Sequence, residues 1–237
     1  MIQLSIIIPT WDEEGNIENT INSIALTLEK DNLAYEILIV DDNSSDKTIE
    51  IVNKLSQKNS NIRLIRHQPP RSFGYSIRDG IQLSNGELIV IMMADLSDDP
   101  RYLKEMYFKY KEGNSVIVGS RFLKGSKVDS YPFLKMISNR LFNLAVMVGF
   151  FTNINDTSNN FKAFDSRKAK KIKLECKSFE VGAELMLKML IKGEKITQIP
   201  VSWTDRTKGE AKFKLKNTFL KYFLLFLKML KLKYTGE

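Results

Sequence analysis

Short apolar runs alternate with longer amphipathic stretches along the first half of the chain. The apolar runs predict strands at residues 4–8, 36–40, 62–65, 88–93 and 116–118. The stretches between them have helical periodicity and predict helices at residues 15–30, 47–57, 73–84 and 101–112. Such alternation is typical of βαβ crossovers. We therefore predict an α/β fold with a doubly wound, mostly parallel sheet and helices on both faces.

The second half has a less regular pattern. It predicts helices at residues 133–151, 181–191 and 213–233, extended segments at 161–164 and 196–201, and polar segments at 156–160 and 203–212. No apolar run reaches the roughly 20 residues of a membrane-spanning helix, and the longest, residues 141–151, predicts a buried helix.

The predicted final helix, residues 213–233, is amphipathic. Lys214, Lys221 and Lys228 recur every seven residues among mostly apolar positions. We expect this helix to lie on a membrane surface, with its lysines at the headgroups and its aromatic residues in the acyl boundary. The alternative is a helix whose apolar face packs on the domain or on a second subunit.

Charge is unevenly distributed. The net charge is +8, and from Phe161 onwards there are 19 Lys and Arg against 8 Asp and Glu. A basic C-terminal third indicates an anionic partner, such as phosphate or acidic lipid, or an ordinary solvated face. Nucleic acid is not favoured, because the aromatic residues of this region form an apolar face. The single cysteine, Cys176, and the lack of a signal-peptide pattern favour a cytoplasmic protein.

Acidic clusters follow three predicted strands, where parallel sheets bind their ligands. Asp95 directly follows an apolar strand, and a carboxylate there can bind Mg²⁺ or Mn²⁺ together with the diphosphate of a nucleotide sugar. Asp98 is a second metal candidate. Asp99, just before Pro100, predicts a helix cap.

Other candidate side chains follow the neighbouring strands. Asp42 can accept hydrogen bonds from a base or ribose, or it forms a turn leading to a helix capped near Ser45. Arg121 and Arg206, each close to glycine, are candidate phosphate clamps. His67 is the only histidine and is expected in a loop, so a histidine-based metal site is not favoured.

Five motifs in this order resemble those of family 2 glycosyltransferases, in the dolichol-phosphate mannosyltransferase-like branch. They lie at residues 6–17, 40–48, 119–122, 156–164 and 200–213. The resemblance implies a GT-A fold over residues 1–212, with a nucleotide-sugar half at 1–122 and an acceptor half at 123–212, before the C-terminal helix at 213–237. It also implies inverting hexose transfer from a GDP- or UDP-sugar to a polyprenyl phosphate, at the cytoplasmic face of a membrane.

The resemblance also implies residue roles. The residues expected around the donor are Pro9, Trp11, Glu13, Val40, Asp42, Ala94 and Ser97. Asp95 is expected near metal and diphosphate, and Arg121 and Arg206 near phosphates. One position departs from the family, because Met93 stands where an Asp-x-Asp motif begins. Asn160 also replaces a usual glycine.

Three functions compete on these residues. A polyprenyl phosphate acceptor is already anionic and needs no strong base, whereas a glycan hydroxyl must lose a proton. Asp156 is the candidate base for that second reaction. Met93 also leaves open a non-catalytic nucleotide-sugar-binding protein. A nucleotidyltransferase is not favoured, because residues 10–13 replace the glycine-rich loop that it would need.

Overall fold

The computed structural model describes residues 1–129, 131–204 and 215–236. Within these ranges, seven strands form one mixed sheet and two short strands pair separately. The strands are β1 (Leu4–Thr10), β2 (Tyr35–Asp41), β3 (Ile62–Arg66), β4 (Leu88–Ile91), β5 (Val116–Ser120), β6 (Val128–Asp129), β7 (Lys162–Asp165), β8 (Ile196–Pro200) and β9 (Trp203–Thr204). The large sheet has the order β3-β2-β1-β4-β7-β5-β8, and β6 pairs with β9.

Helices connect the strands and cover both faces of the sheet. They are α1 (Ile17–Lys30), α2 (Thr48–Lys58), α3 (Phe73–Leu83), α4 (Leu103–Lys111), α5 (Phe133–Phe150), α6 (Ser166–Ala169), α7 (Val181–Ile191) and α8 (Leu215–Thr235). Because strand side chains alternate, Ile6 and Ile8 pack with α1 and α4 on one face, whereas Ile7 packs with α3 on the other. Burial on both faces explains why the strands are almost wholly apolar.

The predicted doubly wound, mostly parallel sheet is confirmed. Strand β7 is the exception to parallel pairing, since it lies antiparallel between β4 and β5. The predicted element bounds differ from the observed ones by two residues or fewer at most ends. Helix α2 begins at Thr48, one residue from the predicted start, and its N-cap is Lys47 rather than a residue near Ser45. One local prediction was wrong, because Trp203–Thr204 forms a short strand rather than part of a loop.

Helix capping by Asp99 is confirmed. Its Oδ1 accepts the Arg101 N–H at 2.9 Å, and Pro100 opens a 3₁₀ turn, Pro100–Tyr102, that leads into α4. Proline suits this first position because it has no N–H to leave unsatisfied. The cap explains why this carboxylate belongs to the scaffold rather than to the site.

The run at residues 141–151, predicted to form a buried helix, is only partly buried and belongs to the longer helix α5. Within the described residues, one helix, Phe133–Phe150, is long and apolar enough to cross a membrane by length and composition, yet only 17% of it is buried. Its outer side exposes large apolar side chains: Phe133, Leu134, Ile137, Leu141, Leu144 and Val148.

Helix α8 packs beside α5 and shares this exposure. Its inner stripe is buried, with Tyr222 against Phe142 at a ring distance of 4.9 Å. Gly149 brings the two helices together, because a Cβ built there would lie 3.0 Å from a methyl of Leu230. The outer stripe of α8 is exposed and apolar, with Phe219, Leu220, Phe223, Leu224 and Leu227. We call these exposed residues of α5 and α8 the two-helix apolar face.

Candidate active site

A cleft of about 660 Å³ opens beyond the carboxyl ends of β1, β2 and β4. This is the side on which parallel sheets bind ligands, at the point where the strand order reverses. The cleft gathers residues from all three acidic clusters. Those predicted from sequence that line it are Pro9, Trp11, Glu13, Asp42, Asp95, Ser97, Asp98 and Arg121, and Met93 lines it too.

The loops after β1 and β2 are fastened to each other by their carboxylates. Asp12 accepts the Ser45 N–H at 2.7 Å, and Glu14 accepts the Lys47 N–H at 2.9 Å. Asp46 in turn accepts the Glu14 N–H at 3.0 Å. These bonds replace lost backbone pairing and hold the two strand ends side by side.

Asp41 and Asp42 divide between turn and cleft. Both Asp41 oxygens lie within 3.3 Å of the Ser44 N–H, which they accept. The Asp42 carboxyl lines the cleft, and its buried Oδ1 has no hydrogen-bond partner among the described residues. Burial raises the pKa of Asp42, although the nearby His67 and Arg71 oppose this. An orphaned buried acceptor fits a ligand that donates a hydrogen bond.

Arg71 is a cleft residue that the sequence analysis missed. Its guanidinium lies 5.1 Å from the Trp11 ring centroid and donates to the Asn43 carbonyl at 2.5 Å. Trp11 and Arg71 form a flat, cationic wall close to Asp42. A π-face with a neighbouring cation is suited to a nucleobase.

Asp95 is the carboxylate best placed to hold a divalent cation. It lines the cleft, and its Oδ1 accepts the Ser97 N–H at 3.1 Å. No group of three His, Cys, Asp or Glu capable of holding a metal occurs in the described part of the chain. Mg²⁺ and Mn²⁺ are often held by one or two carboxylates plus substrate phosphates and water, so this sparse donor set fits such a cation.

Asp98 is less well suited to metal binding than the sequence indicated. It is only 4% exposed, and its Oδ2 accepts the Met93 N–H at 3.0 Å. Burial raises its pKa to about 7. Asp98 therefore closes the turn after β4. Met93, which stands where the family motif has its first Asp, contributes only its backbone N–H to this turn.

Arg121 and Asp156 form a buried ion pair. The Asp156 carboxylate accepts from Arg121 Nε at 2.8 Å, from Nη2 at 2.9 Å and from the Arg121 backbone N–H at 2.9 Å. Burial alone would raise the pKa of Asp156, but the guanidinium outweighs it and the pKa is lowered. A fully buried, ion-paired carboxylate is ill placed to act as a general base, so the structure argues against that role for Asp156.

Arg121 keeps limited capacity for an anion. Besides Asp156, it donates to the Tyr131 hydroxyl at 2.9 Å and the Ser158 hydroxyl at 3.3 Å. Of the five guanidinium hydrogens, the described residues account for four. One N–H and the positive charge remain for a ligand in the cleft.

Three lysines also line the cleft, although no sequence pattern placed them in the site. Lys135 comes from α5, Lys177 from the segment before α7, and Lys221 from α8. Gly74 lets the Lys177 segment approach α3, since its N–H donates to the Lys177 carbonyl and a Cβ there would clash with the Cys176 carbonyl. On sequence alone these lysines are indistinguishable from solvated ones.

Two further residues of the prediction, Val40 and Ala94, lie away from the cleft surface. Val40 is fully buried in the core, so its side chain packs rather than binds. Ala94 is also buried, and its carbonyl accepts from the Thr20 hydroxyl at 2.7 Å. Arg206 lies outside the described residues, so its role stays a prediction.

Comparisons with known proteins agree with this architecture. A dolichol-phosphate mannosyltransferase of Pyrococcus furiosus is 30% identical over 225 residues, covering 92% of this chain and 61% of that protein. A dolichyl-phosphate beta-glucosyltransferase of Trichomonas vaginalis is 30% identical over 216 residues, covering 86% of this chain and 66% of that protein. The chain therefore spans at most about two thirds of the length of each of these relatives.

Fold and family are supported separately. Glucosyl-3-phosphoglycerate synthase from Mycobacterium tuberculosis, solved with Mn²⁺, UDP and phosphoglyceric acid, is similar with a TM-score of 0.74 and 14% identity, covering 97% of this chain and 78% of that chain. At that identity the likeness concerns the fold alone. The family model described as Glycosyl transferase family 2 matches residues 5–173. The chain therefore belongs to glycosyl transferase family 2, as its five motifs predicted.

Proposed function

We propose that this chain transfers a hexose from a GDP- or UDP-sugar to a polyprenyl phosphate at a membrane surface. The dolichyl-phosphate glycosyltransferases among its relatives support this acceptor class. The observation that carries the proposal is one continuous cleft. It is lined by Trp11 and Asp42, by Asp95, and by Lys135 and Lys221 from α5 and α8, the two helices that form the two-helix apolar face.

The two ends of the cleft suit the two substrates. The nucleoside would stack against Trp11 and donate to Asp42, and its diphosphate would lie near Asp95. The lysine end offers an ammonium group from α5 and another from α8, which suits the phosphate of a lipid. Residues 1–122 would thus bind mainly the donor, and residues 123–212 with the C-terminal helix would face the acceptor.

The reaction would be a single displacement. A phosphate oxygen of the acceptor attacks the anomeric carbon, and the bond from that carbon to the diphosphate oxygen breaks. The electron pair leaves with the nucleoside diphosphate, and the anomeric configuration inverts. Lys135 and Lys221 would orient the nucleophile, and Arg121 would add positive charge at the centre of the cleft. No base is required, since the attacking phosphate is already ionised.

A divalent cation would complete the donor end. Mg²⁺ or Mn²⁺ would be held by Asp95, with Ser97 beside it and with the donor diphosphate as further ligand. When bound, the cation neutralises the charge that develops on the departing diphosphate. Because Met93 stands in place of a carboxylate, the protein offers few ligands to the cation. We propose that the donor itself supplies several of the ligands.

Transfer to a glycan hydroxyl is the weaker candidate. It needs a base near the acceptor, and Asp156 is tied to Arg121 with its pKa lowered. A non-catalytic role is also weaker, since Asp95 keeps its place in the cleft although Met93 replaces its partner. Transfer to a phosphate requires neither a base nor a second carboxylate, so it agrees best with the residues present.

A transfer assay tests the proposal. Purified protein is given GDP- or UDP-hexoses with Mn²⁺, and a short-chain polyprenyl phosphate, the matching polyprenol or an oligosaccharide as acceptor. We expect product with the phosphate only, and loss of product on chelation of the metal. The anomeric proton coupling of the product reports inversion. Comparable transfer to the polyprenol or the oligosaccharide would contradict the proposed acceptor.

The same surfaces support a proposal for the cellular location. We propose that the protein docks by the two-helix apolar face on the cytoplasmic side of a membrane. The exposed Leu144 and Leu224 would enter the interface, and the cleft lysines would meet phosphates at the headgroup level. The single cysteine agrees with a reducing compartment.

A further inference from the structure

The segment between β3 and α3 forms part of the cleft wall. Pro70, Arg71 and Ser72 line the cleft from this segment, and Arg71 lies over Trp11. The segment has no regular secondary structure of its own. Its position therefore depends on side-chain and backbone contacts to the elements around it.

His67 makes several of these contacts. Its backbone N–H donates to the Asp41 carbonyl at 2.9 Å, and its own carbonyl accepts from Asn43 Nδ2 at 3.2 Å. These two bonds join the start of the segment to the end of β2. The imidazole is largely covered, with 11% of the side chain exposed, and packs 5.6 Å from the Tyr75 ring.

Both nitrogens of the His67 ring face acceptors. Nδ1 lies 2.5 Å from Asp79 Oδ2 on α3, and Nε2 lies 3.3 Å from the Pro70 carbonyl oxygen. A neutral imidazole has one N–H and one ring nitrogen with a lone pair. It therefore donates to only one of these acceptors, and its lone pair faces the lone pairs of the other. The imidazolium donates to both.

We propose that His67, as an imidazolium, is a positioning residue that braces the segment carrying Arg71 against the nucleotide end of the cleft. It would touch no substrate itself. Its bond to Pro70 fixes the residue next to Arg71, while its bond to Asp79 anchors the ring on α3. The proposal rests on the nucleotide-sugar donor proposed above, and extends it to a residue outside the family motifs recognised in the sequence.

Charged and titratable groups from several elements surround the His67 ring. Asp79 contacts the ring, and Asp42 and Arg71 lie nearby. Asp41 on β2, Arg66 at the end of β3, and Tyr75 and Arg78 on α3 complete the surroundings. As pH rises and the ring loses its proton, one of the two ring bonds is lost. Nucleotide affinity should therefore fall with rising pH.

The single histidine makes the test direct. Imidazole ¹⁵N NMR of the full chain, without ligand, follows the protonation of His67 alone. Calorimetry with UDP and with GDP, each with Mg²⁺, measures affinity from about pH 5.5 to about pH 8.5. We expect affinity to fall roughly three- to tenfold, the worth of one hydrogen bond, with the same midpoint as the NMR titration.

Three variants separate the brace from other titrating groups in the cleft. His67→Gln should bind nucleotide roughly three- to tenfold more weakly at low pH and lose this pH dependence. Asp79→Asn removes the carboxylate that Nδ1 contacts, so the NMR and affinity midpoints should move together. Glu50→Gln is the matched control, because it removes an exposed ion pair with Lys54 on α2 and should change neither. A His67→Gln protein that keeps the wild-type pH dependence overturns the proposal.

A ligand-free measurement keeps the two proposals distinguishable. If wild-type protein binds neither UDP nor GDP, the proposed donor is wrong, and the brace is then judged by amide exchange. At low pH, the amides of Gln68 and of residues 71–73 should exchange faster in His67→Gln than in wild type, while the sheet stays equally protected. Equal exchange in the segment would overturn the brace.

Discussion

Carboxylates that are close in sequence have different tasks in this protein, because strand and turn geometry points them in different directions. Asp95 lines the cleft, Asp98 accepts the Met93 N–H, and Asp99 caps the 3₁₀ turn. Asp41 and Asp42 divide in the same way between turn and cleft. Residue type alone therefore does not identify the metal or donor ligands.

Asp95→Asn should abolish transfer while leaving the fold intact. The amide removes the negative charge that would hold the cation, so the departing diphosphate loses its compensation, and we expect turnover to fall by about 10²-fold or more. The measurement pairs the transfer assay with thermal unfolding. Asp98→Asn should be milder. Asp99→Ala is the control, expected to cost about 1 kcal/mol of stability through the lost cap and to retain activity. Near-normal turnover of Asp95→Asn would refute its role.

We expect Lys162 to make the free energy of unfolding depend on pH. It is fully buried in β7, its Nζ donates to the Thr157 carbonyl at 3.1 Å, and burial lowers its pKa to about 7 from 10.5. Between these values the unfolded chain holds a proton that the folded chain has released. Stability should therefore rise with pH across this window, by on the order of 3 kcal/mol.

Lys162→Met tests this directly. The variant cannot titrate, so its unfolding free energy should change much less between about pH 7 and about pH 10 than that of wild type. Denaturant unfolding at several pH values gives the comparison. Lys54→Met is the control, since this exposed lysine on α2 should leave the wild-type slope unchanged. Parallel slopes for wild type and Lys162→Met would contradict the assignment.

At the scale of elements, local periodicity predicted the strands and helices but not how β7 pairs. The apolar runs of β1, β2 and β4 are long and continuous, so their parallel packing follows from composition. Strand β7 contains Lys162, which interrupts the apolar pattern, and its antiparallel insertion depends on partners distant in sequence. Pairing of this kind has no local signal.

The residues of the cleft were likewise predictable only where a local sequence pattern indicates them. Residues at strand ends, such as Trp11 and Asp42, follow from the rule that ligands bind there. Lys135 and Lys221 reach the cleft because α5 and α8 pack together, which depends on tertiary contacts rather than on sequence spacing. The exposure of α5 was equally hard to predict, because an apolar helix can face either a protein core or a membrane.

The packing of α5 on α8 gives a prediction at this scale. Gly149→Leu should separate the helices, since even a Cβ there lies 3.0 Å from Leu230 and 3.1 Å from Phe226. Overpacking of this kind costs about 1–3 kcal/mol. Limited proteolysis should then cut α8 faster. Leu144→Ala on the exposed side of α5 is the control and should unfold like wild type. Equal protection of α8 in the Gly149 variant would contradict this contact.

At the scale of the whole molecule, the cleft and the two-helix apolar face share the same two helices. The inner side of α5 places Lys135 in the cleft, and the outer side exposes Leu144. Lys228 of α8, which the sequence pattern placed at the headgroups, is exposed and forms an ion pair with Glu175. Because α5 adds its own exposed apolar residues, the apolar face is wider than the C-terminal helix alone predicted.

This face should bind a bilayer without crossing it. Lys135 and Arg140 on α5 would each cost roughly 2.5–3.5 kcal/mol at the bilayer centre, which disfavours a spanning helix. A helix pair lying in the interface can instead bury its leucines and phenylalanines while its cations stay at the headgroups. Wild-type protein should float with anionic liposomes, and flotation should weaken but persist at high salt, because apolar burial is not screened.

Substitutions on and off the face decide whether it is the docking surface. The double variant Leu144→Glu and Leu224→Glu places a charge on each helix, at positions 56% and 55% exposed, so its fold should be kept and its flotation lost. Leu26→Glu is the matched control, since Leu26 is 74% exposed on α1, away from the face, and should float like wild type. Sedimentation without liposomes tests the rival occupant, a second copy of the chain. Flotation of the double variant equal to wild type, or a wild-type monomer that stays at the bottom of the gradient at low salt, would refute membrane docking and weaken the case for a lipid acceptor.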